Sequence, residues 1–206
     1  CSRLLTHLVP RPTAVSRLKE VHDRGLPIYR PLAMQFPDDK LAWIETSTFM
    51  IGDELLFSAG PRTYLPRGIW TNFCTDEIFQ GRQVIDSPAA GCPMVHNGTI
   101  VPMAVAKDKV ELHYFPRLGA EFFIAEPGYD HPTQVPASPA GEFLRLEIES
   151  LVDREYEWVI HHLGQPLGAS GGEPLRYDAA KKQLRVKAYA KSGVGVIINV
   201  TLKEPL

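Results

Sequence analysis

Residues 194–202, VGVIINVTL, set Val194, Val196, Ile198, Val200 and Leu202 against Gly195, Ile197, Asn199 and Thr201. Successive side chains on a strand point to opposite faces, so a two-residue period means one dry face and one wet face. The same period recurs upstream. Leu184, Val186 and Ala188 alternate with Arg185, Lys187 and Tyr189, and Tyr156, Trp158 and Ile160 alternate with Glu157, Val159 and His161. Leu144, Leu146 and Ile148 alternate with Arg145, Glu147 and Glu149, and Val110, Leu112 and Tyr114 with Glu111 and His113. AEFFIAE, residues 120–126, reads as a further strand. The apolar stretch 43–58 reads as strands broken by a turn at Gly52-Asp53, and Tyr64-Leu65-Pro66-Arg67-Gly68 as a strand entering a turn.

Only residues 13–24, TAVSRLKEVHDR, carry helical spacing, through Val15, Leu18 and Val21. Thr13 is placed to cap this helix and Gly25 to end it. The 18 prolines and 16 glycines punctuate the 206 residues too often for a helical bundle. The expected fold class is mainly β, two antiparallel β-sandwich domains preceded by one short α-helix. PGYDHPTQVPASPAG, residues 127–141, has four prolines and no periodicity, and is the candidate linker.

Composition narrows function. Hydrophobic residues make up 44% and charged residues 22%, which is a globular balance. The formal net charge of -2 gives no basis for non-specific nucleic-acid binding, so no nucleic-acid partner is expected. No run of eighteen apolar residues exists, so no membrane partner is expected. CSRLLTHLVP, residues 1–10, has neither a start Met nor a long apolar run and reads as a cut from a longer chain rather than a signal peptide. Cys1, Cys74 and Cys92 do not form a disulfide framework; a Cys74–Cys92 bond is one reading and two buried free thiols the preferred one. The compartment stays open. Asn97-Gly98-Thr99 and Asn199-Val200-Thr201 are glycosylation triplets, the second within an apparent strand.

Candidate chemistry is sparse. Asp38-Asp39 and Asp53-Glu54 are adjacent pairs whose side chains diverge, so turns and caps suit them better than facing catalytic carboxyls. His161-His162 diverge likewise and have no acidic or thiol ligand at metal spacing. No G-x-S-x-G occurs, Cys92 precedes Pro93 and reads as a core thiol, and GASGG (168–172) reads as a hairpin loop. Catalytic residues, metal ligands and cofactors are therefore expected to be none. Flat rings cover the apolar face of a sugar, which makes Trp43, Trp70, Trp158, Tyr64, Phe73 and Phe79 worth weighing. Trp70, beside a turn and the polar Thr71-Asn72, and Trp158 are the candidate carbohydrate contacts.

One ordered set of motifs adds more. GLPIYRPLAMQFPDD begins at Gly25 with Pro27, Arg30-Pro31-Leu32, Phe36-Pro37 and Asp39. TFMIGDELLFSAG follows, with Phe49-Met50, Gly52 and Leu55-Leu56. YLPRGIW contributes Tyr64-Leu65-Pro66, Gly68 and Trp70, and PMVHNGTIVPM contributes Pro93, Gly98, Ile100 and Pro102. In order and spacing, over residues 4–103, this resembles the C-terminal region of glycoside hydrolase family 31, which holds α-glucosidases, α-xylosidases and sulfoquinovosidases. The resemblance implies a fold in which residues 1–42 are the last helix of a catalytic barrel plus an extended linker. Residues 43–125 would be a proximal β-sandwich and 126–206 a distal one, the latter matched by architecture alone. The family's catalytic aspartates lie in W-x-D-M-N-E-like and G-D-N-like strings, and neither occurs here. Thr48 replaces the usual Gln before Phe-Met, the connection from Leu56 to Tyr64 is short, and residues 126–130 stand where an acidic stretch is common.

The resemblance thus implies a non-catalytic C-terminal β-domain portion of a glycosidase, bracing a barrel that hydrolyses O-glycosyl bonds in carbohydrate metabolism. Its partner would be that barrel, absent from these residues, or a second copy of the chain covering the apolar stripe of helix 13–24. The alternatives are a glycan-binding β-sandwich module with carbohydrate as partner, and a protein-interaction module.

Overall fold

The computed structural model describes residues 11–172 and 175–205, and the expectations for Cys1 and residues 4–10 lie outside them. The described chain divides into two compact units, residues 17–97 and residues 11–16 with 98–205. The helix Arg11–Arg24 is shared between them at Ser16/Arg17. It starts two residues before the expected cap. Thr13 lies inside it and donates its hydroxyl to Pro102 O at 2.9 Å. Gly25 does end it, at φ +69°, with its N–H on Val21 O.

The first unit holds β1 (Tyr29–Pro31), β2 (Thr48–Ile51), β3 (Leu55–Ser58), β4 (Arg62–Leu65), β5 (Ile69–Asn72), β6 (Ile78–Gln80), β7 (Gln83–Asp86) and β8 (Met94–His96). Six of these form one sheet in the order β1-β2-β3-β8-β5-β6, and β4 and β7 form a ribbon. The pairings β1–β2, β2–β3, β3–β8, β4–β7, β5–β6 and β5–β8 are antiparallel. Two helices of a single turn or so, Leu32–Gln35 and Lys40–Ile44, lie between β1 and β2. They were not legible as helices because Pro31 and Pro37 dominate that stretch. Leu32, Ala42, Met50, Leu56, Tyr64, Leu65, Trp70 and Met94 form the core of this unit.

Cys74 and Cys92 are joined in a disulfide, with Cα atoms 5.8 Å apart, which corrects the free-thiol reading. The chain around them explains the pairing. Asn72 lies opposite Met94 and Phe73 N donates to Pro93 O at 3.0 Å, so the ends of β5 and β8 already bring the thiols together.

The second unit holds β9 (Thr99–Ala106), β10 (Lys109–Phe115), β11 (Ala120–Ile124), β12 (Thr133–Ala140), β13 (Phe143–Glu149), β14 (Arg154–Ile160), β15 (Pro166–Ser170), β16 (Arg176–Asp178), β17 (Gln183–Ala190) and β18 (Gly195–Leu202). They form two five-stranded sheets, β16-β17-β14-β10-β9 and β11-β12-β13-β18-β15. The two sandwich-like units and the leading helix are the expected mainly β class. One pairing departs from it: β10 and β14 run parallel, with Leu112 opposite Trp158. Parallel neighbours need a long crossover, and here β11, β12 and β13 supply it in the other sheet. The two-residue period decides the core. Val110, Leu112, Tyr114, Tyr156, Trp158, Ile160, Leu184, Val186, Leu144, Leu146, Ile148, Ile198 and Val200 are all buried in one cluster. Each such side chain contributes roughly 1.5–3 kcal/mol by leaving water.

Residues 133–140 are not a linker. They form β12, paired with β11 on one side and β13 on the other. Thr133, Val135 and Ala137 turn inward. Pro136 and Pro139 hide that period, since proline is ordinarily confined to sheet edges. Gly168–Ser170 likewise belong to β15 rather than to a loop.

Candidate functional site

In the first unit, the strongest electrostatic feature pins the helix to the sheet. Arg30, on β1 and almost fully buried, donates to Pro27 O at 2.9 Å, to Glu20 Oε2 at 2.8 Å and to Asp53 Oδ1. Glu20 also receives Arg17 Nη1 at 2.7 Å and Arg24 Nη1 at 3.2 Å. Arg17 reaches Glu54 as well, and Gln35 reaches Asp53 and Gly52 O. The turn of Asp53-Glu54 was expected; its pairing to Arg17 and Arg30 was not. Burial pushes the Glu54 carboxyl up to about 7, with Arg17 opposing and Asp53 adding to the rise. Burial works against the Arg17 charge, but Glu54, Glu20 and Asp53 outweigh it and hold the guanidinium above its usual value. Gly52 makes the close approach feasible. It sits at φ +61°, and a Cβ there would lie 2.4 Å from Glu54 Oε2 and 2.5 Å from Arg17 Nε.

A second set of contacts ties the sequence motifs to each other. Asp39 caps the helix Lys40–Ile44 by accepting Leu41 N at 3.1 Å through Oδ1, the capping role expected of it. Its Oδ2 accepts the Tyr64 hydroxyl at 2.7 Å. Burial first, then this bond to a carboxylate, pushes the Tyr64 phenol up to about 12. Trp70 donates its ring N–H to Pro66 O at 2.9 Å and packs on His96 and Phe36 at 4.8 and 6.1 Å between ring centroids. Gly68, at φ +148°, permits this: a Cβ there would meet His96 Nε2 at 2.4 Å.

Trp70 is fully buried by these contacts, so its ring offers no face to a sugar. Trp158 is fully buried too, in the core of the second unit between Leu112 and Val186 on the neighbouring strands. The polar Thr71-Asn72 that drew notice to Trp70 is buried as well. Thr71 donates to Asn97 Oδ1, and Asn72 Oδ1 accepts Cys74 N. The exposed tryptophan is Trp43, at 66%. Its ring N–H is held by Pro37 O at 2.8 Å. Ile44 (73%), Leu41 and Met34 are exposed on the same two-helix segment 32–44. The sequence signal for this surface was present: four large apolar residues flanked by Pro31, Pro37 and Asp38-Asp39 fit neither strand nor helix period.

The two histidines separate as expected. His161 is buried and stacks on Phe115 at 4.2 Å between centroids, and His162 is half-buried at φ +53°. Among the described residues, no group of three or more His, Cys, Asp or Glu side chains is arranged to hold a metal ion. No helix among them is long and apolar enough to cross a membrane.

Two sandwich-like β units led by one helix define a mainly β region. Residues 25–110 match the glycosyl hydrolase family 31 C-terminal domain, so the resemblance seen in the sequence holds. Over 155 residues the chain is 25% identical to alpha-glucosidase 2 of Bacillus thermoamyloliquefaciens, a match that covers 67% of this chain and 19% of that protein. Over 98 residues it is 30% identical to an alpha-glucosidase of Saccharolobus solfataricus, covering 45% of this chain and 14% of that one. The chain thus spans a fifth or less of these relatives. In fold it is similar to a Flavobacterium johnsoniae family 31 dextranase, with TM-score 0.78, 21% identity, and coverage of 92% of this chain and 31% of that one. It is also similar to a cycloalternan-forming enzyme of Listeria monocytogenes, with TM-score 0.80, 18% identity, and coverage of 94% and 22%. These findings place the chain in the setting of a carbohydrate-active enzyme, as a C-terminal β-domain portion.

Proposed function

We propose that this chain is the non-catalytic C-terminal β-domain portion of a family-31 glycosidase and that it braces the catalytic barrel. The observation that carries the reading is the apolar surface of Met34, Leu41, Trp43 and Ile44. It lies inside the matched segment, between the Arg30 clamp and β2. A contiguous segment that exposes four large apolar side chains invites a partner. The chain's own barrel is the partner whose sequence would adjoin it. The helix Lys40–Ile44 is tied through its cap Asp39 to Tyr64, and the helix Leu32–Gln35 through Gln35 to Asp53 and Gly52 O. A rigid supporting layer holds catalytic geometry to within about half an ångström.

The test is reconstitution. The chain alone is expected to leave an aryl α-glycoside intact. Mixed with a family 31 barrel shorn of its own C-terminal region, it is expected to form a complex and raise turnover. A Trp43→Asp/Ile44→Asp chain, which keeps the buried core, is expected to do neither. Turnover by the chain alone, or equal rescue by the double variant, would refute the proposal.

A second reading rests on the exposure of Trp43. With its N–H engaged and its ring in solvent, it could act as a sugar platform. Fluorescence titration with oligosaccharides separates the two, since a platform gives a saturable change that Trp43→Ala abolishes.

A further inference from the structure

At one end of the second unit the chain leaves a cavity of about 600 Å³. It lies where β10, β14 and β18 end and where the turn between β16 and β17 projects. Its lining is of two kinds. Leu163 and Leu202, both buried, and the rings of Pro116 and Pro205 are apolar. His162, Gln165, Lys182, Lys203 and Glu204 are polar. A concavity with apolar walls and a few convergent polar groups is the ordinary form of a small-molecule site.

Backbone bonds set this shape. Leu163 N donates to Lys182 O at 2.8 Å, which ties the turn between β16 and β17 to the segment after β14. Tyr177 donates its hydroxyl to Leu163 O at 2.9 Å. Leu202 lies opposite Pro166, and its N–H donates to Glu142 O at 2.7 Å. Among the described residues, four other than glycine have a left-handed φ. Two of the four, His162 at +53° and Lys182 at +49°, line this cavity. Glycine adopts that conformation readily, so a histidine and a lysine stand at both positions against the preference of the backbone. Strain of this kind collects at ligand sites.

The lining selects the ligand. Lys182 and Lys203 bring two positive charges and Glu204 one negative charge, so the cavity keeps a positive excess. A concave wall focuses such a field and draws an anion to it. The Gln165 amide and the Glu204 carboxylate supply donors and acceptors for hydroxyl groups. Leu163, Leu202 and the proline rings supply surface for C–H groups. A negative head, hydroxyls and a C–H face together describe a sugar acid. We propose that this cavity binds a polyhydroxylated carboxylate of the uronic acid class, with its carboxylate toward Lys182 and Lys203. The site lies within the second unit and is independent of the bracing role, which rests on residues 32–44 of the first.

The test titrates the ¹⁵N-labelled 206-residue chain with D-glucuronate and follows its amide spectrum. Saturable shifts are expected at residues 162–165, 182 and 202–204. D-Glucose lacks the charge and acetate lacks the hydroxyls, and each is expected to bind about tenfold more weakly. Lys182→Gln and Lys203→Gln are each expected to weaken glucuronate binding about fivefold, the worth of one exposed ion pair. Added salt is expected to weaken the wild type in the same direction. Both lysines are exposed, and an unchanged thermal midpoint shows that each variant keeps the fold. Lys203→Gln lies outside the turn between β16 and β17, so it stands as the test should Lys182→Gln disturb that turn. Absence of a saturable shift, shifts centred on other residues, glucose or acetate binding as tightly as glucuronate, or wild-type affinity in Lys203→Gln would overturn the proposal.

Discussion

Replacing Cys74 and Cys92 by serine isolates one covalent contribution to the first unit. The bond closes a loop with a sequence separation of 18, which contains β6 and β7. In the chain-entropy treatment, a loop of that length removes about 11 cal/mol/K from the unfolded state, or about 3 kcal/mol at 25 °C. The folded state gains little from the bridge, because Asn72 already pairs with Met94 and Phe73 with Pro93. The effect therefore falls mainly on the unfolded chain. With a urea slope of about 2 kcal/mol/M, Cys74→Ser/Cys92→Ser should lower the midpoint by about 1.5 M. The assay is urea unfolding followed by fluorescence in a Trp158→Phe background, which confines the reporters Trp43 and Trp70 to the first unit. Of the three cysteines, one reactive thiol is expected under denaturing, non-reducing conditions, and three after reduction. Three thiols without reductant, or a midpoint shift under about 0.3 M, would refute the reasoning.

Other outcomes follow from single sites. Gly52→Ala forces a side chain into φ +61° and onto Glu54 and Arg17, and should cost about 1–3 kcal/mol in urea unfolding of the first unit. The raised Glu54 carboxyl means that the folded state holds a proton the unfolded chain has released. The first unit should therefore lose stability as pH rises from about 4.5 to about 7, and Glu54→Gln should flatten that profile in midpoints measured across the range. The Glu111 carboxyl is held down at about 2, first by its bond to His113. Its contribution is present above about 4.5 and is lost toward pH 2, which acid titration of Glu111→Gln should reveal by comparison. Trp158→Ala should cost about 3–5 kcal/mol, and Trp43→Ala under about 0.5 kcal/mol; thermal melts of the two variants separate a core ring from a surface ring.

Strands whose wet and dry faces alternate were legible because water itself enforces the period. β13, β14, β17 and β18 place Leu146, Trp158, Val186 and Ile198 in one core as read. Where another constraint overrode the period, the sequence misled. β12 hides behind Pro136 and Pro139. The helices 32–35 and 40–44 are too short for a 3.6-residue period to emerge. The parallel partnership of β10 and β14 leaves no local trace, because register between distant strands is set by the whole crossover. The Cys74–Cys92 pairing depended on how β5 meets β8. Tryptophan exposure failed as a guess for a related reason. The buried state of Trp70 follows from Pro66 O, His96 and Phe36, none of which its immediate neighbours announce.

The motifs that carried the family resemblance are bonded to one another. Arg30 of Arg-Pro-Leu holds Glu20 and the Gly52-Asp53 turn. Asp39 of Phe-Pro-x-Asp holds Tyr64 of Tyr-Leu-Pro, and Pro66 of that same motif holds Trp70. Phe36 reaches the Trp70–His96 pair. Such a set resembles a scaffold: polar ties fix backbone positions, and Gly52 and Gly68 stand where a neighbouring side chain leaves no room for a Cβ. Within 32–44, Met34, Leu41, Trp43 and Ile44 are left outward while Leu32 and Ala42 are buried. A scaffold that fixes so much in order to present so little is best tested at those outward side chains. A change there that leaves the melt unaltered but abolishes rescue of a barrel assigns those side chains to docking, because a role in folding would have moved both readouts together.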